Sequence, residues 1–218
     1  AIVTIGAGGG SIAYVDDGGM LQVGPRSSGA DPGPACYGLG GSHATVTDAN
    51  LVLGRLVPGA RLPGNLKLSV AHARNAIGDL AQKIALSVEE TAAGIISVAN
   101  EHMAKAIREI SVNRGYDPAD FVLASFGGAG GLHVCALAEA MQMRSVLVPA
   151  RGGVLSALGM LMASRGRQLT RTLGVAVDEI EVKALESAFQ DLEDEARAEL
   201  SGAGELVCKR SVDLCYKG

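Results

Sequence analysis

The sequence has few aromatic residues and no tryptophan: its 218 residues include 4 Tyr and 3 Phe. It also lacks a basic excess, because 19 Lys and Arg stand against 23 Asp and Glu, a formal net charge of −4. General nucleic-acid binding needs such an excess to gather phosphates. The longest uncharged apolar run, residues 152–163, is shorter than the roughly 20 residues that span a bilayer. We therefore expect no nucleic-acid partner and no membrane partner.

Cysteine is scarce as well. The four cysteines, at positions 36, 135, 208 and 215, lie too far apart for the paired spacing of a zinc site. We also expect that no secretory leader precedes them. Free cysteine is among the most buried residue types. We expect a reducing, cytoplasmic location, with each cysteine acting as a small buried apolar side chain.

Both ends of the chain read as strands. Residues 1–5 are largely apolar, and residues 211–218 stop while the strand-like pattern continues. Natural termini are usually polar and exposed. The sequence therefore predicts a piece of a longer polypeptide.

Glycine is what the chain has in abundance, with 30 residues. Residues 1–66 hold half of the glycines and predict a loop-rich layer with a hairpin of strands 12–15 and 20–23. Helices are predicted to begin after Ser69 and after Ser87, where Glu90 completes a capping box and Gly115 ends the second helix.

An alternation of strands and helices follows. Strands are predicted at 121–125 and 145–149, and helices at 130–142 and 154–164, a pattern typical of parallel α/β packing. A strand at 168–177 and an acidic amphipathic helix capped by Asp178 come next, with the acids on the solvent face. The predicted domains are a strand and loop layer (1–66), a helical and α/β subdomain (67–165) and a strand-helix-strand segment (166–218).

Two glycine-rich loops are candidates for ligand binding. The first contains Gly8, Gly9, Gly10 and Ser11, where successive N–H groups can hold an oxyanion or simply form a tight turn. The second contains Gly127, Gly128, Ala129 and Gly130, between a strand and a helix, where ligands of α/β sheets bind. We expect Gly128 to present its backbone to a ligand at a positive φ, although close packing of strand on helix would also use glycine there.

Two side chains could carry chemistry. Asp48 is either the N-cap of a short helix at 49–53 or a ligand for a hard cation, with Asn50 as a weaker oxygen donor. A cap would tolerate Asp48→Asn, whereas a metal ligand needs the charge. His133 follows the second loop and is either a catalytic donor or general acid and base, or a packed histidine.

Several motifs resemble the hydantoinase A / 5-oxoprolinase family in order and spacing, over essentially the whole chain. The most specific is GPRSSGADPGPACYG. The others are GAGGGS at 6–11, TVTDANLVL at 45–53, FGGAGGLH at 126–133 and VPARGGVLSALG at 148–159.

The resemblance implies the second half of an actin-like, ribonuclease-H-like ATPase core that acts on cyclic amides with ATP and Mg²⁺. It implies that residues 126–131 form the adenosine-side loop, that Asp48 lies near the Mg²⁺ and phosphates, and that a hydantoinase B-type subunit or domain is the partner. An ATP-dependent ketone carboxylase subunit is the alternative. The family's phosphate-binding Asp and Gly-Gly-Thr segments are missing, so we expect the isolated chain to be non-catalytic.

Overall fold

The fold is described from a computed structural model of the chain. It covers residues 4–59, 61–62, 66–202 and 204–216. The chain divides into two compact units, Ala1–Ala157 and Leu158–Gly218. This division does not test the three domains predicted from the sequence, which stay predictions. Helices and short strands alternate, so the chain is mixed α/β, as predicted.

A hairpin near the start confirms the first predicted pair of strands. β1 (Ser11–Val15) pairs antiparallel with β2 (Leu21–Ser27). Asp16 shapes the turn, because its Oδ1 accepts two backbone N–H groups at 3.0 and 2.9 Å. Residues 4–5 of the predicted opening strand are not part of a strand, and the rest of it lies outside the described residues.

Helix α1 (Val46–Val52) begins three residues earlier than predicted. Its N-cap is Thr45 and not Asp48. Asp48 instead occupies the third helical position and closes a capping box with Thr45, since a carboxylate there can reach back to the N-cap N–H. Thr45 also bridges to Ile12 of β1, which places the start of α1 against the hairpin.

Two long helices form the core with α1 and the hairpin. α2 (Val70–Ile84) and α3 (Val88–Ile110) begin after Ser69 and Ser87, as predicted, and Ser87 and Glu90 form the predicted capping box. Their apolar faces pack together because apolar residues recur every three to four positions. The buried cluster includes Val46, Ala49, Ala76, Ile77, Leu80, Ala92, Ile95, Ile96 and Ala99. α3 ends five residues before Gly115, which instead follows a 3₁₀ turn at Val112–Arg114.

The predicted parallel pair is present but short. Each strand has two residues where five were predicted, and the pair is parallel as predicted. Two short strands, β3 (Arg61–Leu62) and β4 (Leu66–Lys67), precede α2. After α3 the strands and α-helices are, in chain order, β5 (Leu123–Ala124), α4 (Val134–Ala140), β6 (Val146–Leu147), α5 (Leu155–Met162) and α6 (Val182–Glu199). β3 pairs with β4, and β5 pairs with β6.

The prediction of strands in the second unit was wrong. Neither 168–177 nor 211–216 is a strand, and residues 217–218 of the predicted last strand lie outside the described residues. No strand pairing of the described residues involves these segments. An extended segment forms a strand only where a partner takes up its N–H and C=O groups. α6 starts after Glu181, not after Asp178, and Glu181 makes no side-chain cap.

The acidic face of α6 is exposed, as predicted, but it is also paired with arginines of the same unit. Arg171 lies 2.8 Å from Asp191, and Arg210 lies 2.8 Å from Glu186. Arg210 also sits over the ring of Phe189, 5.2 Å from its centroid. Because these pairs are exposed, each adds little stability.

The cysteines do not all follow the prediction. Cys36 is buried, whereas Cys135, Cys208 and Cys215 are exposed. Among the residues described, no helix combines the length and the apolar character needed to cross a membrane.

Candidate functional site

The first glycine loop, residues 6–11, is held by two later segments. The Gly9 carbonyl accepts hydrogen bonds from the Thr47 N–H and the Thr47 hydroxyl, both at 2.9 Å. The Gly10 carbonyl accepts from the Ser28 N–H at 2.9 Å and from the Ser28 hydroxyl at 3.2 Å. These four bonds fix the loop to α1 and to the end of β2.

The carbonyl groups of this loop are hydrogen-bonded to protein, but two of its N–H groups are not. Within the described ranges, neither the Gly9 nor the Gly10 N–H donates a hydrogen bond to protein, and both residues are half-buried. The Gly8 N–H donates to Ser11 Oγ at 2.9 Å, and the Ser11 hydroxyl donates to the Gly6 carbonyl at 3.3 Å. Successive N–H groups in such a turn make a concavity suited to an anion.

The two predicted glycine loops lie side by side. A Cβ built on Gly9 would lie 3.8 Å from the Cβ of Ala129 in the second loop, residues 126–131. The Gly127 N–H donates to the Gly152 carbonyl at 2.9 Å, which ties this loop to the segment before α5. Three glycine-rich segments, far apart in the sequence, thus form one surface.

Much of this surface is open backbone. A Cβ would meet no atom within 4 Å at Gly8, Gly127, Gly128, Gly131 and Gly153. The positive φ expected of Gly128 belongs instead to Gly127, at 94°. Gly130 serves packing, because a Cβ there would lie 2.6 Å from Ser125 Oγ, just after β5. The Cβ direction is therefore open at Gly127 and Gly128, whereas at Gly130 it is filled by Ser125.

Asp48 is fully buried and surrounded by donors. Its Oδ1 accepts from the Cys36 N–H at 2.7 Å. Its Oδ2 accepts from the Ala35 N–H at 3.3 Å, the Thr45 N–H at 2.9 Å and the Thr45 hydroxyl at 2.7 Å. Burial, followed by the charge of Asp48, raises the pKa of the Cys36 thiol, so this thiol stays protonated.

This geometry does not fit a cation ligand. Asp48 is fully buried, and protein donors already occupy both of its oxygens, three of them at Oδ2 and one at Oδ1, where a carboxylate accepts about four hydrogen bonds. Within the described residues, no group of three or more His, Cys, Asp or Glu side chains is placed to hold a metal ion. Metal binding by Asp48 stays a prediction from the sequence and the resemblance.

His133 is buried at the start of α4, directly after the second loop. Its Nδ1 lies 2.7 Å from Asn100 Oδ1 on α3. Burial, and to a smaller extent the charge of Arg55, lowers the pKa of His133 below its ordinary value of 6.5. The folded protein therefore holds His133 as a neutral imidazole at physiological pH.

The lowered pKa of His133 predicts a dependence of stability on pH. The unfolded chain binds a proton near pH 6.5 while the folded chain resists it, so stability is full above that pH and is lost as the pH falls below it. Urea unfolding of the protein and of His133→Asn between pH 5 and 8 checks this. We expect the original protein to lose more free energy of unfolding on acidification than the variant. Parallel profiles would contradict the prediction.

Sequence reasoning missed three residues of this site. Thr47 and Ser28 anchor the first loop, and Asn100 binds His133. The position of Asn100 could have indicated its role. It lies four residues from Ile96 and four from Ala104, both buried on α3, and a polar residue on a buried helix face needs a hydrogen-bond partner. No sequence pattern identifies Thr47 and Ser28, because each binds a backbone carbonyl group, which every residue has.

The site thus belongs to a mixed α/β protein in which two glycine loops lie side by side. A model of the hydantoinase/oxoprolinase family matches residues 1–168. The chain belongs to the hydantoinase/oxoprolinase family.

Two relatives show how much of a whole protein the chain represents. It is 45% identical over 226 residues to the alpha subunit of caprolactamase from Pseudomonas jessenii, covering 100% of this chain and 32% of that subunit. It is 34% identical over 236 residues to 5-oxoprolinase from Dictyostelium discoideum, covering 100% of this chain and 18% of that protein. The chain therefore spans a third or less of the length of these relatives.

Two solved structures are similar in fold. The crystal structure of ATP-dependent caprolactamase from Pseudomonas jessenii gives a TM-score of 0.68 at 45% identity, over 90% of this chain and 29% of that one. The nucleotide-free structure of acetone carboxylase gives a TM-score of 0.73 at 30% identity, over 91% of this chain and 29% of that one.

Proposed function

We propose that this chain is part of an ATP-dependent enzyme that hydrolyses cyclic amides, such as hydantoins or 5-oxoproline. The convergence of the two glycine loops carries the proposal, because it makes one open backbone surface from segments over 100 residues apart. Its relatives include a 5-oxoprolinase and an ATP-dependent caprolactamase.

Each loop has its own part in the proposal. The N–H groups of Gly9 and Gly10 bind phosphate oxygens, since backbone donors that are already fixed need no reorganisation when negative charge arrives. The open backbone at Gly127 and Gly128 takes the adenosine side, next to β5 and β6 of an actin-like, ribonuclease-H-like core. His133 stands at the end of that loop.

ATP would supply its terminal phosphoryl group to the amide oxygen, with ADP as the leaving group, which would make the carbonyl carbon a better electrophile. Addition of water would then break the ring C–N bond and release phosphate. The chain's own residues bind and orient: Thr47 and Ser28 keep the first loop in shape through its carbonyl groups. Because Asp48 does not fit a cation, we assign no step to Mg²⁺ through this residue. A hydantoinase B-type partner and a cytoplasmic location belong to the same proposal.

The test uses the complete protein that carries this chain. It is incubated with hydantoin, 5-oxoproline or caprolactam, with and without ATP and Mg²⁺, and ring opening and phosphate release are measured together. We expect ring opening only with ATP and in proportion to the phosphate released. Ring opening without ATP, or none with any cyclic amide, would contradict the proposal. The isolated 218-residue chain should release no phosphate.

A ketone carboxylase is the second candidate, favoured by the similarity to acetone carboxylase. The same assay separates the two. Bicarbonate and a ketone replace the cyclic amide, and incorporation of labelled carbon is followed. Labelled carboxylate formed together with phosphate would favour this candidate over the hydrolase.

A further inference from the structure

Asn100 lies at the centre of a contact that joins α3 to the second glycine loop. Its side-chain Oδ1 is 2.7 Å from Nδ1 of His133. His133 is 2% exposed and immediately follows the 3₁₀ turn Gly130–Leu132 at the end of the loop. The side chain of Asn100 thus determines how the imidazole is held at this point.

The contact fixes the position of the imidazole proton. An amide oxygen only accepts hydrogen bonds, so Nδ1 of His133 must carry the proton and Nε2 must carry a lone pair. Nε2 is buried, and among the described residues it has no hydrogen-bond partner. Buried acceptors without a partner are rare in native proteins and call for a donor.

We infer that Asn100 is a positioning residue that holds the proton of His133 on Nδ1 and thereby keeps Nε2 as a hydrogen-bond acceptor beside the second glycine loop. Nε2 is closed off in this structure, so an N–H or O–H donor of the ligand that the loops hold reaches it through a local shift of the glycine loop. The identity of that ligand as ATP rests on the proposed function, whereas the tautomer does not. In this role His133 accepts a hydrogen bond through Nε2 and donates none from it, unlike a general acid.

The first measurement is the tautomer itself, in the complete protein labelled with ¹⁵N-histidine. The His133 signals are those that vanish in His133→Asn. We expect protonated Nδ1 and unprotonated Nε2 in the original protein, and loss of this preference in Asn100→Leu, which has no acceptor. Protonated Nε2 in the original protein, or an unchanged tautomer in Asn100→Leu, would overturn the inference.

The second measurement distinguishes two roles of His133: accepting a hydrogen bond from the ligand through Nε2, and only linking the loop to α3. His133→Asn keeps an N–H donor for Asn100, because the Asn amide nitrogen is as many bonds from Cβ as Nδ1 is, but it removes Nε2. We expect its melting temperature to stay near that of the original protein while kcat/KM for ATP falls at least about tenfold, a loss of about 1.4 kcal/mol. Ser97→Leu, at an exposed position of α3, is the matched control for Asn100→Leu and should change neither quantity.

The outcomes distinguish this inference from the proposed function. If ATP binds by calorimetry and His133→Asn has unchanged kinetics, the role of Nε2 as an acceptor for the ligand is wrong while the proposed function stands. If the protein neither binds nor uses ATP, the proposed function and the assignment of the ligand fail together. The tautomer measured in Asn100→Leu then still decides whether Asn100 is a positioning residue.

Discussion

Replacing Asp48 with Asn is expected to lower the free energy of unfolding by about 3 kcal/mol, at the upper end of the cost of unpaired buried polar groups. The carboxylate accepts four hydrogen bonds at a fully buried site. An amide group would turn an N–H donor toward donors that already point at this position. Thermal and urea unfolding measure the loss.

Asp117→Asn is the matched control. Asp117 caps a 3₁₀ turn at the surface, where its Oδ1 accepts one N–H, from Ala119, at 2.9 Å. An Asn oxygen can replace it there, so we expect a change below about 0.5 kcal/mol. The N-cap interpretation of Asp48 from the sequence predicts an equally small change for Asp48→Asn. A cation ligand would instead show a normal melting temperature with turnover reduced at least about tenfold, which is about 1.4 kcal/mol in the barrier.

Gly128→Val is expected to raise KM for ATP at least about tenfold, which is about 1.4 kcal/mol of binding free energy, with no change in melting temperature. A Cβ at Gly128 would meet no protein atom within 4 Å, and φ is not positive there. The added side chain therefore fills only the space that a ligand would use. Steady-state kinetics and thermal unfolding of the complete protein check both expectations.

Gly166→Val provides the comparison, because a Cβ at Gly166 also meets nothing within 4 Å and its φ is not positive. It lies in the unit 158–218, away from the glycine loops in sequence. We expect both KM and melting temperature to stay unchanged. If Gly128→Val behaves the same way, the second loop serves only to pack the strand on the helix.

The starts of α2 and α3 were predictable from the sequence because their signals are local. Ser69 caps α2, and Ser87 with Glu90 caps α3, each through bonds to residues three positions away. The strand predicted at 168–177 failed for the opposite reason, since a strand exists only with a partner. No local pattern reports whether that partner is present.

The site residues also differ in how far along the sequence their partners lie, and this decides which of them could be predicted. Both glycine loops were found in the sequence, because glycine runs between elements are visible in a short window. The partners of Asp48 at Ala35 and Cys36 lie 13 and 12 residues away, and Asn100 lies 33 residues from His133. Contacts over such distances depend on how the chain packs, so the sequence predicts an N-cap or a cation ligand for Asp48 and no role for Asn100.

Consecutive residues in the first turn of α1 hold two different loops: Thr47 binds Gly9, and Asp48 binds the turn at 35–36. Neighbouring side chains on an α-helix project about 100° apart, so the two loops attach to different sides of one helical turn. Inserting or deleting one residue in this turn of α1 would rotate the side chain of Thr47 or of Asp48 away from the loop that it binds. The turn at 35–36 and the first glycine loop are thus both tied to the same helical turn, which couples the position of one to the position of the other.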